Sequence, residues 1–448
     1  MDDIFRYIDE NQKNYLKQLF GLIRQPSIST QNQGVEECAQ LLMKILVESG
    51  AEAKIIPTPR HPIVIGQIRN QAATKTLLVY GHYDVQPPDP LDLWKSPPFE
   101  PVIRNGRIYG RGVADNKGQL FAHIKAAEAI LRVRGKTSSN ITFLFEGEEE
   151  IGSPDLAPFI QDHKDLLKAD GCLVSDGPKH DSGRPTIVCG LKGMLYLELR
   201  AKGASRDLHS MHAAMIPSPV WRLVHALSSL KTQDGKVLIP KFYENVKNPT
   251  EAELQAVSKV PILESDAHRQ FEIKEFLCGR DAYYYNMFFS PTCNIAGIEA
   301  GYTGDGPKTV LPSRARAKLD FRLVPCQDPT QIYGQLKQHL EVQGFTDIEV
   351  IKLSERMPSR TPVDHPYVQL VASAIRHTID QEPITFPSMG GSGPDYLFTG
   401  VLGVPSVWLP LSPHDSNNHS PNENMHIKDF IEGIKISSTI IEWVGKRW

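Results

Sequence analysis

His82, Asp115, Glu150, Asp176 and His419 lie where apolar, strand-like segments give way to polar loops. These five side chains make an oxygen-rich set with two imidazoles, suited to a pair of divalent cations. Such an oxygen-rich donor set makes Mn²⁺ an alternative to Zn²⁺. Glu149 stands next to one of the carboxylates and is left over as a base. Two metals, a bridging carboxylate and a spare base are enough to hydrolyse an amide at neutral pH.

Each position also has a plainer reading. His82 and Asp84 follow the apolar run Leu77–Tyr80, and ligands gather at the carboxyl ends of parallel strands. Asp84, two residues on and facing the same side, is placed to fix the tautomer of His82. Without the other sites, the two would pass for a surface pair. Asp115 and Asn116 precede a helical pattern that starts near Gly118. A capping side chain is worth about 1 kcal/mol, and one cap suffices. That assigns the cap to Asn116 and frees Asp115. Four carboxylates, Glu146, Glu148, Glu149 and Glu150, fall within five positions, and a divalent cation offsets their repulsion better than water does. Asp176 and His419 follow the apolar segments Cys172–Ser175 and Val404–Leu409. The Asn-, Ser- and Pro-rich turn around His419 is also ordinary loop chemistry.

The elements that must position these groups show two styles. Helical spacing over Val35–Ser49 and Gly118–Arg134 alternates with short apolar strands at Leu77–Tyr80, Ile141–Phe145 and Cys172–Ser175. This predicts a mixed, mostly parallel sheet covered by helices. From Leu195 to Ala201 and from Ala315 to Leu323, apolar and polar residues alternate strictly, the habit of an antiparallel sheet with one face free. Helical stripes at Val220–Leu227 and Ile332–Leu340 accompany it, and the stretch Lys231–Pro291 is long and irregular. The first style returns in the strand Val404–Leu409 and the closing helix Ile427–Val444. The expected fold is therefore α/β: a discontinuous catalytic domain over residues 1–193 and 375–448, with an α+β lid or dimerisation domain inserted at 194–374.

Bulk properties exclude several classes. The formal charge of −3 with no basic run argues against a nucleic-acid partner. No apolar run approaches the ~20 residues that span a bilayer. Met1–Leu19 lacks the basic and apolar regions of a signal peptide. The six cysteines, Cys38, Cys172, Cys189, Cys278, Cys293 and Cys326, show no paired spacing and are expected to be buried, reduced thiols of a cytoplasmic protein.

For a substrate carboxylate the candidates are Arg322 and the turn Gly390-Gly391-Ser392-Gly393. The N–H groups of that turn precede a helix expected at Asp395–Phe398, an anion-friendly place.

Several motifs together resemble the di-zinc aminoacylase/carboxypeptidase family, metallopeptidase family 20. They are His-Tyr-Asp-Val at 82–85, Gly-Arg-Gly-Val-Ala-Asp-Asn-Lys-Gly at 110–118, Glu-Glu-Glu-Ile-Gly-Ser at 148–153, Val-Ser-Asp-Gly at 174–177 and His-Ser-Pro-Asn-Glu at 419–423. The segment Gly235–Pro240 and the long insert around it look like the enlarged lid of the carnosinase-like dipeptidase branch. The resemblance implies that Asp115 bridges two metals, with His82 and Asp176 completing one site and Glu150 and His419 the other. It makes Glu149 the general base and acid, acting on water held at the metal pair, and Asp84 the residue that orients His82. It implies a cis Asp115–Asn116 peptide. His209 becomes the oxyanion donor, reaching the neighbouring subunit of a homodimer, although Met211 stands where the family pattern has glycine. Thr309 and His365 are implied to line the substrate site. The implied reaction is hydrolysis of dipeptides or short peptides with a free C-terminal carboxylate. N-acyl amino acid deacylation and a catalytically silent binding protein on the same fold are the alternatives.

Overall fold

A computed structural model describes residues 1–261, 272–274, 276–279 and 282–448. At its centre is the strand Thr76–His82, buried from its second residue onward. Leu77 and Val79 face one apolar core while Leu78 and Tyr80 face another, so the continuous apolar run is what a strand with two covered faces requires. Glycine is needed at position 81, because a Cβ there would stand 2.9 Å from Leu120 Cβ and 3.0 Å from Asn116 Oδ1. Its absence lets the start of the helix Lys117–Arg134 press against the strand just before His82.

The large sheet has eight strands, in the spatial order Glu52–Ile56, Ile63–Ile68, Asn140–Glu146, Thr76–His82, Gly171–Val174, Ser406–Trp408, Thr186–Val188 and Ile384–Phe386. The inner four run parallel to one another, while Ile63–Ile68 enters antiparallel from one side. Helices Val35–Glu48, Lys117–Arg134, Pro366–Ile379 and Ile427–Arg447 cover one face and share the largest core. A second sheet is wholly antiparallel, in the order Thr292–Ala300, Arg314–Leu323, Gly193–Lys202 and Glu349–Arg356. Leu195, Leu197 and Leu199 meet Ala315, Ala317 and Leu319 in a separate core under the helices Pro219–Ser228 and Pro329–Val342. The expected mixed α/β fold with an antiparallel insert is what forms. Helix Pro366–Ile379 packs on the large-sheet side, so the chain has already returned there before residue 374.

Several expectations need correction. The helix expected at Asp395–Phe398 begins later, at Leu397–Val401. Asp395 is buried ahead of it and accepts the Trp408 indole N–H at 2.7 Å. Within Lys231–Pro291 the described residues are more ordered than the composition suggests. They include helices Glu251–Ser258 and Tyr283–Phe289, and Val237 and Ile239 are buried in the smaller core. Residues 262–271, 275 and 280–281 of that stretch lie outside the described residues. All six cysteines are free, but Cys326 is exposed and Cys278 half-buried. No helix among the described residues is long and apolar enough to cross a membrane.

Candidate metal centre

Three of the inner parallel strands release His82, Glu146 and Val174 at the same edge of the sheet. From there the chain needs only a few residues to present Glu149 and Glu150, on the one-turn helix Glu149–Ile151, and Asp176. Asp115 and His419 arrive differently. They do not leave strands of the large sheet directly. A small three-stranded sheet pairs Asn424–His426 with Arg107–Tyr109, and this pairing brings the loop before Asp115 alongside the loop that carries His419.

The result is one compact cluster. His82 Nε2 lies 3.1 Å from Asp115 Oδ1 and 3.7 Å from Asp176 Oδ2. His419 Nε2 lies 3.0 Å from Asp115 Oδ2 and 3.3 Å from Glu150 Oε2. Two groups, His82–Asp115–Asp176 and Asp115–Glu150–His419, each bring three ligand atoms within 4.8 Å of one another. Asp115 belongs to both, offering one oxygen to each. The fit to cations rests also on two buried atoms, His82 Nε2 and Glu150 Oε1, which have no hydrogen-bond partner among the described residues. Buried polar atoms normally have partners.

Asp84 organises the cluster from below. His82 Nδ1 sits 3.1 Å from the Asp84 carbonyl and 3.4 Å from its carboxylate. The same carboxylate accepts the N–H groups of Glu149 and Glu150 at 3.2 and 3.1 Å. Gln86 Nε2 donates to Glu150 Oε2 at 2.8 Å. Asn116 holds the helix-cap position but makes no cap hydrogen bond. Its amide donates instead to the Ser175 carbonyl at 2.6 Å, tying the Asp115 loop to the Asp176 loop. The capping role read from the sequence is therefore replaced by a crosslink. The Asp115–Asn116 peptide is cis.

Charge in the cluster is finely balanced. Burial pushes the Glu149 carboxyl well above its usual range; nearby His82 opposes this, while Asp176, Glu150 and Asp115 add to it. The Asp115 and Glu150 carboxylates raise His419 to about 10. Burial alone would lower His82, yet Asp115, Asp176 and Asp84 hold it well above the ordinary imidazole value. A divalent cation answers the same carboxylates and binds each imidazole in its neutral form. Glu146, buried at its strand end with Tyr80 and Ser153 donating to it, rises to about 7 because of burial.

The remaining candidates separate into groups. Arg322 and Ser392 are brought together, with Nη1 donating to Oγ at 3.1 Å, and the Gly391 carbonyl accepts the Lys192 N–H at 3.0 Å. His209 lies on a short two-stranded ribbon of the insert, Leu208–His209 with Val310–Leu311, and Thr309 directly precedes its second strand; both residues are exposed. His209 Nδ1 accepts the Met211 N–H at 3.1 Å, and its ring is not part of the metal cluster of its own chain. The His365 Nδ1 accepts the Tyr367 N–H at 3.2 Å and caps the helix Pro366–Ile379. Gln86, Glu146 and Lys192 were not singled out as site residues from the sequence. Only Glu146 carried a signal there, as part of the acidic run.

These motifs and this geometry have a counterpart among known proteins. The model of peptidase family M20/M25/M40 matches residues 78–443. The chain belongs to this family. It is 29% identical to the Cys-Gly metallodipeptidase dug1 of Schizosaccharomyces pombe, over 98% of each chain. It is 26% identical to human Beta-Ala-His dipeptidase, over 97% of this chain and 91% of that one. A solved M20 family metallo-carboxypeptidase, Sso-CP2 from Sulfolobus solfataricus, matches with a TM-score of 0.90 and 37% identity, over 96% of this chain and 99% of that one. The M20 chain described here is thus a metallopeptidase, a hydrolase of peptide bonds.

Proposed function

We propose that this M20 peptidase hydrolyses dipeptides and short peptides that end in a free carboxylate. The observation that carries the reading is the double use of Asp115 by two ligand groups, with Glu149 beside them. His82, Asp115 and Asp176 would hold one Zn²⁺ or Mn²⁺, and Glu150, Asp115 and His419 the other. When bound, such a pair polarises the scissile carbonyl and acidifies water.

The chain's own residues do the rest. Asp84 fixes the His82 ring and, through two N–H groups, the turn that carries Glu149. Glu149, with a raised proton affinity, accepts a proton from water and returns it to the leaving amine. Arg322 and Ser392, with the Gly391 backbone, receive the substrate carboxylate; a guanidinium offers it paired donors. The exposed ribbon with His209 and Thr309 completes the site of a second copy in a homodimer. Exposed Trp221, Ile295 and Ile298 on the insert support such a contact.

The test is a dipeptide panel assayed on metal-loaded protein. Free dipeptides are cleaved while their C-terminal amides are not. EDTA abolishes turnover and Zn²⁺ or Mn²⁺ restores it. Glu149→Gln keeps its metal and loses about 10²–10⁴-fold in rate, the usual contribution of a general base. Full activity in Glu149→Gln refutes the mechanism, and faster cleavage of N-acetyl amino acids than of dipeptides refutes the substrate class.

A further inference from the structure

Glu423 is fully buried, and no step described above uses it. It sits four residues after His419 and directly before Asn424, the first residue of the strand paired with Arg107–Tyr109. Its carboxylate is saturated by the opposite loop. Oε1 accepts the N–H groups of Ala114 and Asp115 at 2.8 and 2.9 Å. Oε2 accepts the Gly112 N–H at 2.9 Å and the Arg111 guanidinium at 2.7 Å. Arg111 is equally buried and reaches on to the Pro87 carbonyl at 3.1 Å. A buried carboxylate is retained only when its charge is answered and its lone pairs filled, and here both needs are met by a single loop.

That loop ends in Asp115. It turns at Gly112, with φ of +89°, where a Cβ would meet Val85 Cγ1 at 2.8 Å. The loop therefore has little freedom on one side, and Glu423 clamps it on the other. The His419 loop is itself held in an uncommon shape, with Asn417, His419 and Asn422 all at positive φ.

We propose that Glu423 is a positioning residue that sets the two ligand loops against each other, so that the Asp115 carboxylate faces His82 with one oxygen and His419 with the other. The proposal rests on the dinuclear reading. It makes a distinctive demand, because Asp115 is shared: loosening Glu423 weakens both cation sites together. Gln86, which holds Glu150 alone, affects one site only.

The experiment is calorimetric titration of metal-free protein with Zn²⁺ and with Mn²⁺, alongside the melting temperature of each metal-free variant. Glu423→Asp keeps the charge and withdraws it by one methylene. It is expected to lower affinity at both sites by about 10–100-fold, the range for residues that orient metal ligands. Gln86→Ala lowers affinity at one site. If Glu423→Asp does not fold, Glu423→Gln keeps the length of the side chain and carries the same test. Wild-type affinity at both sites in a folded Glu423 variant overturns the proposal, as does a loss confined to one site. Wild-type protein that binds fewer than two cations overturns the dinuclear reading instead.

Discussion

Replacing Asp84 with asparagine probes how one buried carboxylate serves both a proposed ligand and the proposed base. Asp84 is fully buried and meets three donors: the Glu149 N–H at 3.2 Å, the Glu150 N–H at 3.1 Å and the His82 ring at 3.4 Å. Asparagine has the same shape but only one accepting oxygen, so its amide group must turn toward an N–H. Hydrogen bonds to a charged group contribute about 1.5–3 kcal/mol each. Losing one and weakening another therefore costs roughly 3 kcal/mol, which is about 10²-fold in rate at ~1.4 kcal/mol per tenfold. The loss of carboxylate support for a metal-bound histidine, about 10–100-fold, points to the same range. The assay is steady-state dipeptide hydrolysis at saturating metal, with metal content and melting temperature measured in parallel. Asp84→Asn should remain folded, bind metal less tightly and lose about two orders of magnitude in kcat/KM. A fully metallated variant within about threefold of wild type would mean that Asp84 organises neither His82 nor the catalytic turn.

His123 governs a pH dependence away from the site. Its Nδ1 lies 2.9 Å from Ser437 Oγ, and burial lowers its pKa from 6.5 to about 3. Between those values the unfolded chain binds the extra proton, so stability rises with pH across that window and falls on acidification. The slope attributable to this group reaches about 1.4 kcal/mol per pH unit. Denaturant unfolding from pH 7 to pH 4 should show a shallower decline in His123→Gln than in wild type, and parallel declines would rule the histidine out. For the proposed homodimer, Ile298→Asp places a charge on an exposed edge strand of the insert. Light scattering should then report the 50.1 kDa chain mass, and turnover should fall by about 10²–10³-fold as His209 is lost to the opposite site. A monomer with full activity would refute a role for His209 across subunits.

The order of elements and most of the proposed metal ligands were legible in the amino-acid sequence because burial leaves a periodic trace. Leu77–Tyr80 had to be a strand covered on both faces, and Leu195–Ala201 a strand covered on one. The proposed ligands released from neighbouring parallel strands, His82, Glu150 and Asp176, inherit their proximity from that sheet. What spacing could not carry is the pairing of remote segments. Asp115 meets His419 because Tyr109 pairs with Asn424, and Arg322 meets Ser392 across seventy positions. Asn116 crosslinks two loops although its local context reads as a cap. Glu423 closes the His-Ser-Pro-Asn-Glu motif, but its partners, four donors from a segment more than three hundred residues away, are visible only in the fold. Periodicity records which face of an element leaves water. The partner that fills a buried lone pair is chosen only when the whole chain is packed.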